Sequence, residues 1–254
     1  MIDAKALAYV NMYGVLGSLE NLCEMDDIAK AALRKLKKEV HLCFEVAGGP
    51  CCTFSFGPTG CAMKKGDAGC TMKMRFASPE KFNALINDSK PGLPVKNSAG
   101  TLLFLLGPFT ALTDRLNAVL RPTEEALKDR DLFEENTVMT MYVIGGAVCA
   151  LANNDSISKI SAGNTVDGDI LMAIPGRAEI TIRVKNHKYG LIKGRTGHPR
   201  AIMEFADIDL ANGLFNGTVS AINEMCKGTL RLSGVISMID NVNRILDRVS
   251  VYLA

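Results

Sequence analysis

The chain repeats itself. Met12-Tyr13 returns as Met141-Tyr142, 129 residues on, and the same offset carries Gly17 onto Gly146, Leu22 onto Leu151, Asp26 onto Asp155 and Lys30 onto Lys159. It persists where Met74, Phe76, Asn83, Leu85 and Asn87 meet Met203, Phe205, Asn212, Leu214 and Asn216. The offset falls to 128 at Gly100-Thr101-Leu102 against Gly228-Thr229-Leu230, to 127 at Gly107 against Gly234, and to 126 at Asn117 against Asn243. Slips of one residue read as changes of turn length. A repeat decides whether a chain is one fold or two, so it constrains the architecture before any single motif does. We expect two units, 1–127 and 128–254, each close to the commonest domain size. No Gly/Ser linker separates them; the junction falls in the charged stretch from Arg121 to Asp131, where Pro122 ends a helix.

Hydrophobic residues make up 48% of the 254 residues and charged residues 22%, enough apolar surface for packed cores and too much for disorder. With 29 lysines and arginines against 27 acids, the net charge of +2 gives no field that would draw nucleic acid or an anionic membrane. Asp3 stands where a secretory signal carries only positive charge, and no cleavage site follows, so the chain reads as cytoplasmic. The longest uncharged stretch, Asn136 to Asn154, falls short of the ~20 mostly apolar residues that span a bilayer. Asn136, Thr137, Gly145, Gly146 and Asn153 dilute it, and a buried core helix is expected. Eight cysteines in a chain without an export signal read as reduced thiols.

Each copy opens with a helix: Leu7, Val10 and Tyr13 recur at helical spacing, as do Met141, Ile144 and Val148. Strands follow at Leu42–Val46, Thr53–Phe56 and Cys61–Met63, separated by glycine- and proline-rich turns. In the second copy Ile180, Ile182 and Val184 alternate with Thr181, Arg183 and Lys185, a strand with one face in water. A fourth strand, Thr71 to Phe76, runs into Ser78-Pro79-Glu80, matched by Asp207-Ile208-Asp209. Both are helix starts, with a capping side chain and an acid at the positive end of the dipole. A last strand, Gly100 to Leu106 or Gly228 to Ser233, precedes a closing helix. Leu230-Arg231-Leu232-Ser233 alternates, whereas Leu102-Leu103-Phe104-Leu105-Leu106 is apolar on both faces. The second face of that strand is expected to be covered, by the other copy, by a partner subunit in a homo-oligomer, or by the copy's own terminal helix. The fold class is α+β, each unit a mostly antiparallel sheet covered by helices.

The run from Phe205-Ala206-Asp207 to Leu214-Phe215-Asn216-Gly217, a connector, Gly228-Thr229-Leu230-Arg231-Leu232-Ser233-Gly234 and a C-terminal apolar helix resembles the sterol carrier protein type 2 family. That family shows, in this order, a strand, a short helix ending in Leu-x-x-Gly, a Gly-Lys-Leu strand and a closing helix. The first copy follows less closely, with Asn87-Asp88 at the helix end, and the family's lysine after the strand glycine is Thr101 and Thr229 here. The resemblance implies a tunnel for a sterol, fatty acid or acyl-CoA and no catalytic residue. The candidate lining is Phe82, Leu85, Phe109 and Leu112 in the first copy, and Leu214, Phe215, Ile236 and Ile239 in the second. Apolar residues at helical spacing are also what any plain core shows.

Catalytic signatures are wanting. His41, His187 and His198 have no partner at a spacing that suggests a triad or a metal pair. Gly57-Pro58-Thr59-Gly60 and Gly66-Asp67-Ala68-Gly69 lack a phosphate-loop lysine and read as hairpin turns. Cys51, Cys52, Cys61 and Cys70 offer soft ligands for zinc or an iron–sulfur cluster. They contain no Cys-x-x-Cys pair, and adjacent cysteines in a strand point to opposite faces. No cofactor is called for. The reading is a binder of a hydrophobic small molecule or acyl chain, with a structural or interaction scaffold and a cysteine-ligated metal site as the alternatives.

Overall fold

The computed structural model of the protein describes residues 2–88 and 103–253. The chain divides into two compact units, Met1–Pro122 and Thr123–Ala254.

In the first unit Asp3 caps α1 (Ala4–Val10) by accepting from the Lys5 and Ala6 amides. The helix then changes pitch twice, through a π segment at Asn11–Val15 and a 3₁₀ turn at Leu16–Ser18, before α2 (Leu19–Met25). Asp26 leaves helical geometry and caps α3 (Asp27–Leu33), accepting from the Ala29 amide at 2.6 Å. Strands β1 (Val40–Val46), β2 (Cys51–Gly57) and β3 (Gly60–Lys65) form an antiparallel meander, and β4 (Met72–Phe76) lies parallel to β1, giving the order β3-β2-β1-β4. Pleating sends Leu42, Phe44, Phe54, Phe56, Met72 and Met74 to the helix-covered face, all buried, and His41, Cys43, Glu45, Ser55, Lys73 and Arg75 to the other. Then come α4 (Pro79–Asp88), a second π segment at Leu105–Phe109, and α5 (Thr110–Leu120).

The second unit has α6 (Arg130–Asn154), α7 (Ser158–Gly163), β5 (Gly168–Ile174), β6 (Ala178–Lys185), β7 (Lys188–Lys193), β8 (Ala201–Phe205), α8 (Ile208–Phe215), α9 (Ala221–Lys227), β9 (Leu230–Gly234) and α10 (Ile236–Leu253). Its sheet runs β7-β6-β5-β8-β9, again with one parallel pair, β5 with β8. The uncharged stretch is continuous α6. It is long and apolar enough to cross a bilayer, but 78% of its most apolar window is buried within the fold. Gly145 lets it lie close on the sheet: a Cβ there would come 2.6 Å from Ile180 Cδ1 and 2.9 Å from Leu191 Cδ1.

Two devices recur in both units. The capping aspartates are tied to the closing helix, Asp26 to Arg115 at 2.8 Å and Asp155 to Arg248 at 3.5 Å and to the Tyr252 hydroxyl at 2.9 Å. The outer edge strand is met by a polar side chain from the opening helix. Glu20 Oε1 accepts from the Met63 amide at 2.7 Å, while Asn153 both accepts from the Tyr189 amide and donates to its carbonyl. Such contacts use up edge groups that would otherwise recruit another strand.

One expected element is not there. Leu103 to Leu106, read as the heart of a strand, is helical; residues 100–102 of that expectation lie outside the described residues. Phe104 and Leu105 are buried, while Leu103 and Leu106 are 74% and 65% exposed, so the helical course parts Leu103 from Leu105, the two residues of the expected second face. The matching stretch of the second unit is strand β9, paired antiparallel to β8. Alternation explains the divergence: Leu230-Arg231-Leu232-Ser233 suits a strand with one wet face, whereas Leu103 to Leu106 carries no polar residue to put there. Gly234 makes β9's exit feasible, with φ at 84° and the Arg200 carbonyl where a Cβ would sit; Gly107 has open space.

The last slip in the sequence offset has a place in the structure. From Leu112 onward the buried positions Leu112, Leu116 and Val119 match Met238, Val242 and Ile245 at an offset of 126, against 127 at Gly107. The first unit therefore holds one residue more between Gly107 and Leu112, beside the π segment.

Candidate functional site

A cavity of about 340 Å³ lies inside the first unit. Phe44 of β1 and Met74 of β4 form its floor. Val15 and Leu16, at the end of the first π segment, close one side, Leu85 and Ile86 of α4 another, and Leu105, Phe109, Leu116 and Leu120 a third. The rim is polar: Thr110, Thr113, Asp114 and Asn117 fall at successive helical turns on one face of α5, and Arg121 follows at its C-cap. An apolar interior with a few polar groups at the mouth is the usual build of a small-molecule site, and the volume is at the small end of the ~300–1,000 Å³ range.

The walls hold their shape through aromatic packing. Phe44 meets Phe54 edge-on at 5.8 Å and lies 6.1 Å from Phe109; Phe109 in turn meets Phe56 at 5.9 Å and Phe104 at 6.0 Å. Both π segments contribute lining residues, Val15 to one wall and Leu105 and Phe109 to another. Pro108 removes an amide donor from the second, and the Thr110 hydroxyl donates to the Leu105 carbonyl at 2.7 Å. The opening helix is fixed to α4 by a buried pair, Asn11 Nδ2 donating to Asn83 Oδ1 at 3.0 Å and Asn83 donating to the Ala4 carbonyl.

Of the eight candidate lining residues, Leu85 and Phe109 line this cavity. Phe82 and Leu112 are fully buried in the core beside it, Phe82 edge-on to Phe76 at 5.1 Å. In the second unit Leu214 and Phe215 are half-buried, with Phe215 against Phe205 at 5.5 Å; Ile239 is buried and Ile236 is 55% exposed. Sequence reasoning passed over Val15, Leu16, Phe44 and Met74, which read as ordinary core. It also passed over the polar rim, which at spacing 110, 113, 114, 117 and 121 reads as the wet side of α5.

The cysteines do not gather as four. Cys51 and Cys52 face opposite sides of β2, and Cys61 sits opposite Phe56 on the core side. Among the described residues no group of three His, Cys, Asp or Glu could hold a metal ion. One close thiol pair exists, Cys43 Sγ to Cys51 Sγ at 3.8 Å. Burial, with the neighbouring Cys51, pushes the Cys43 thiol up to about 12, and burial also raises Cys52. His41, whose spacing in the sequence suggests neither a triad nor a metal pair, has neighbours in the fold: its Nδ1 is 2.8 Å from Ser55 Oγ across the β1–β2 register, and its Nε2 is 3.7 Å from Glu39. That group lies on the sheet face away from the cavity.

No family model and no curated protein matches the chain. Solved structures similar to it include a UbiJ-SCP2 ubiquinone synthesis protein, at 11% identity and TM-score 0.34, covering 42% of this chain and 88% of that one. A sterol carrier protein 2 matches at 15% identity and TM-score 0.33, covering 43% and 92%. Sterol carrier protein 2 from Yarrowia lipolytica, in its apo form, matches at 15% identity and TM-score 0.30, covering 39% and 91%. Likeness at this level leaves the assignment of function to the chain's own residues.

Proposed function

We propose that this protein binds the hydrocarbon part of a small amphiphile, a fatty acid or another acyl-chain compound, in the first unit and releases it unchanged. The observation that carries the reading is the 340 Å³ cavity with apolar walls and a polar rim on α5. A chain enters the apolar interior, which gains roughly 0.8 kcal/mol per buried methylene, and the head group stays among Thr113, Asp114, Asn117 and Arg121 at the mouth. No step of chemistry is needed, and the reading takes the protein as a cytoplasmic, non-enzymatic carrier. It also takes the two units as descendants of one, of which the first kept the space. At the position of Leu16 the second unit has Gly145, and there the helix closes down on its sheet.

Native mass spectrometry of the freshly purified, tag-free chain tests this directly. A co-purifying mass that organic solvent extracts and that matches a single-chain lipid supports the carrier. A bare mass that stays bare after incubation with fatty acids and acyl-CoA of different lengths refutes it, and the chain would then be a scaffold with an idle cavity.

A further inference from the structure

On the face of the first sheet that looks away from the cavity, Cys43 of β1 and Cys51 of β2 bring their sulfurs to 3.8 Å. Their register decides what this pair can do. Cys43 stands opposite Thr53 and Cys51 opposite Glu45, so the thiols meet along a diagonal. Diagonal backbones in an antiparallel pair are about 7–8 Å apart. That is at or beyond the limit, about 7 Å, at which a disulfide needs the backbone to move. A bridging ion asks for a wider gap. With metal–sulfur bonds of about 2.3 Å, the zinc–thiolate value, two sulfurs on one ion lie between roughly 3.8 Å at the tetrahedral angle and roughly 4.6 Å when linear. A two-coordinate ion takes the near-linear end of that range, so the sulfurs must part by roughly 0.8 Å from their 3.8 Å separation, a change that rotation about the side-chain bonds supplies.

We propose that Cys43 and Cys51 form a two-sulfur clamp for a soft monovalent cation of the Cu(I) class. Two sulfurs are what the close geometry supplies: Cys70 is near enough to act on the Cys43 thiol, but no group of three ligating side chains placed to hold an ion exists among the described residues, so ions that need four ligands are poorly served. Thiolate sulfur is the ligand type that selects Cu(I). Access is one-sided, with Cys51 partly exposed and Cys43 fully buried, so the ion is taken up at Cys51 and then held away from water. Binding exchanges two thiol protons for the cation and leaves the site with one net negative charge. Lys73, opposite Cys43 in the β1–β4 register and ion-paired with Glu45 and Asp67, lies on the same face.

The test is a competition between the reduced full-length chain and bicinchoninate for Cu(I) under anaerobic conditions. The expected result is one Cu(I) withdrawn per chain, with X-ray absorption showing two sulfur neighbours, and at least a 100-fold weaker hold in both Cys43→Ala and Cys51→Ala. Cys61→Ala, on the opposite face, leaves the hold unchanged. Should Cys43→Ala fail to fold, the half-exposed Cys51→Ala decides alone. An unchanged affinity in Cys51→Ala, or a wild-type chain that withdraws no Cu(I), overturns the proposal. The lipid reading is unaffected either way, since the cavity lies across the sheet.

Discussion

Chain length is the perturbation that most directly interrogates the cavity. A methylene occupies about the space of one liquid water, roughly 30 Å³. A cavity of about 340 Å³ therefore takes on the order of eleven chain carbons. While the chain still lengthens into apolar space, each carbon contributes about 0.8 kcal/mol, close to a fourfold gain in affinity. Saturated fatty acids from six to eighteen carbons, titrated by isothermal calorimetry below their critical micelle concentrations, should tighten about fourfold per carbon and then level off near eleven or twelve. Leu16→Phe moves the plateau. It adds three heavy atoms to the wall beside Phe44, so the break should come about three carbons earlier, with little change for the shortest ligands. A melting curve checks that the variant is folded. Affinity that does not depend on length, or a break that does not move in Leu16→Phe, would refute the assignment of the ligand to this cavity.

Asp155 is 2% exposed and accepts from the Ser158 amide, the Ser158 hydroxyl and the Tyr252 hydroxyl, with Arg248 at 3.5 Å. Asp155→Ala strands Arg248 and leaves the Ser158 amide and hydroxyl at the start of α7 without their acceptor, so a loss of about 3–5 kcal/mol is expected in urea unfolding; less than about 1 kcal/mol would show that the cluster is not stabilising. Burial tends to raise the pKa of Asp155, but the Ser158 and Tyr252 hydrogen bonds and Arg248 outweigh it and hold the carboxyl below its ordinary value. Its contribution is therefore present above the unfolded-state pKa near ~4 and is lost as pH falls through the lower folded value. Acid titration of wild type against Asp155→Asn should show the two stability curves converging below about pH 4. Phe44→Ala empties the floor of the cavity and should destabilise by about 3–5 kcal/mol, since Phe44 is 2% exposed and packs on three other rings. Asn153→Ala frees the Tyr189 amide and carbonyl on the edge of β7, for a cost of about 1–3 kcal/mol and concentration-dependent association by light scattering.

Much of the architecture was legible because it rests on local chemistry. Asp207 caps α8 through the Leu210 amide as its position before an apolar run suggests, and the alternation of Ile180, Ile182 and Val184 places β6 with one face inward; on the face expected to be wet Arg183 and Lys185 are exposed, but Thr181 is buried and donates to the Gly194 carbonyl. The candidate site was half legible. Leu85 and Phe109 were picked out by apolar spacing, but the same spacing selects Phe82 and Leu112, which fill the core instead of lining the space. Whether an apolar side chain meets a neighbour or a void depends on how far apart two elements sit, and periodicity carries no distances.

What the sequence determined by itself is what depends on the order of residues along the chain: the offset between the halves, the pleat of each strand, the caps and the turns. Tertiary structure decided the rest. The five apolar residues from Leu102 to Leu106 satisfy a buried strand and a helix equally well. Only the register of α5 against the core, kept by Leu112, Leu116 and Val119, gives Leu103 to Leu106 a helical course through a π segment. The cavity follows from the same source. Its walls take residues from both pitch changes, Asn11–Val15 and Leu105–Phe109, and packing over distance sets how such segments face each other where composition does not.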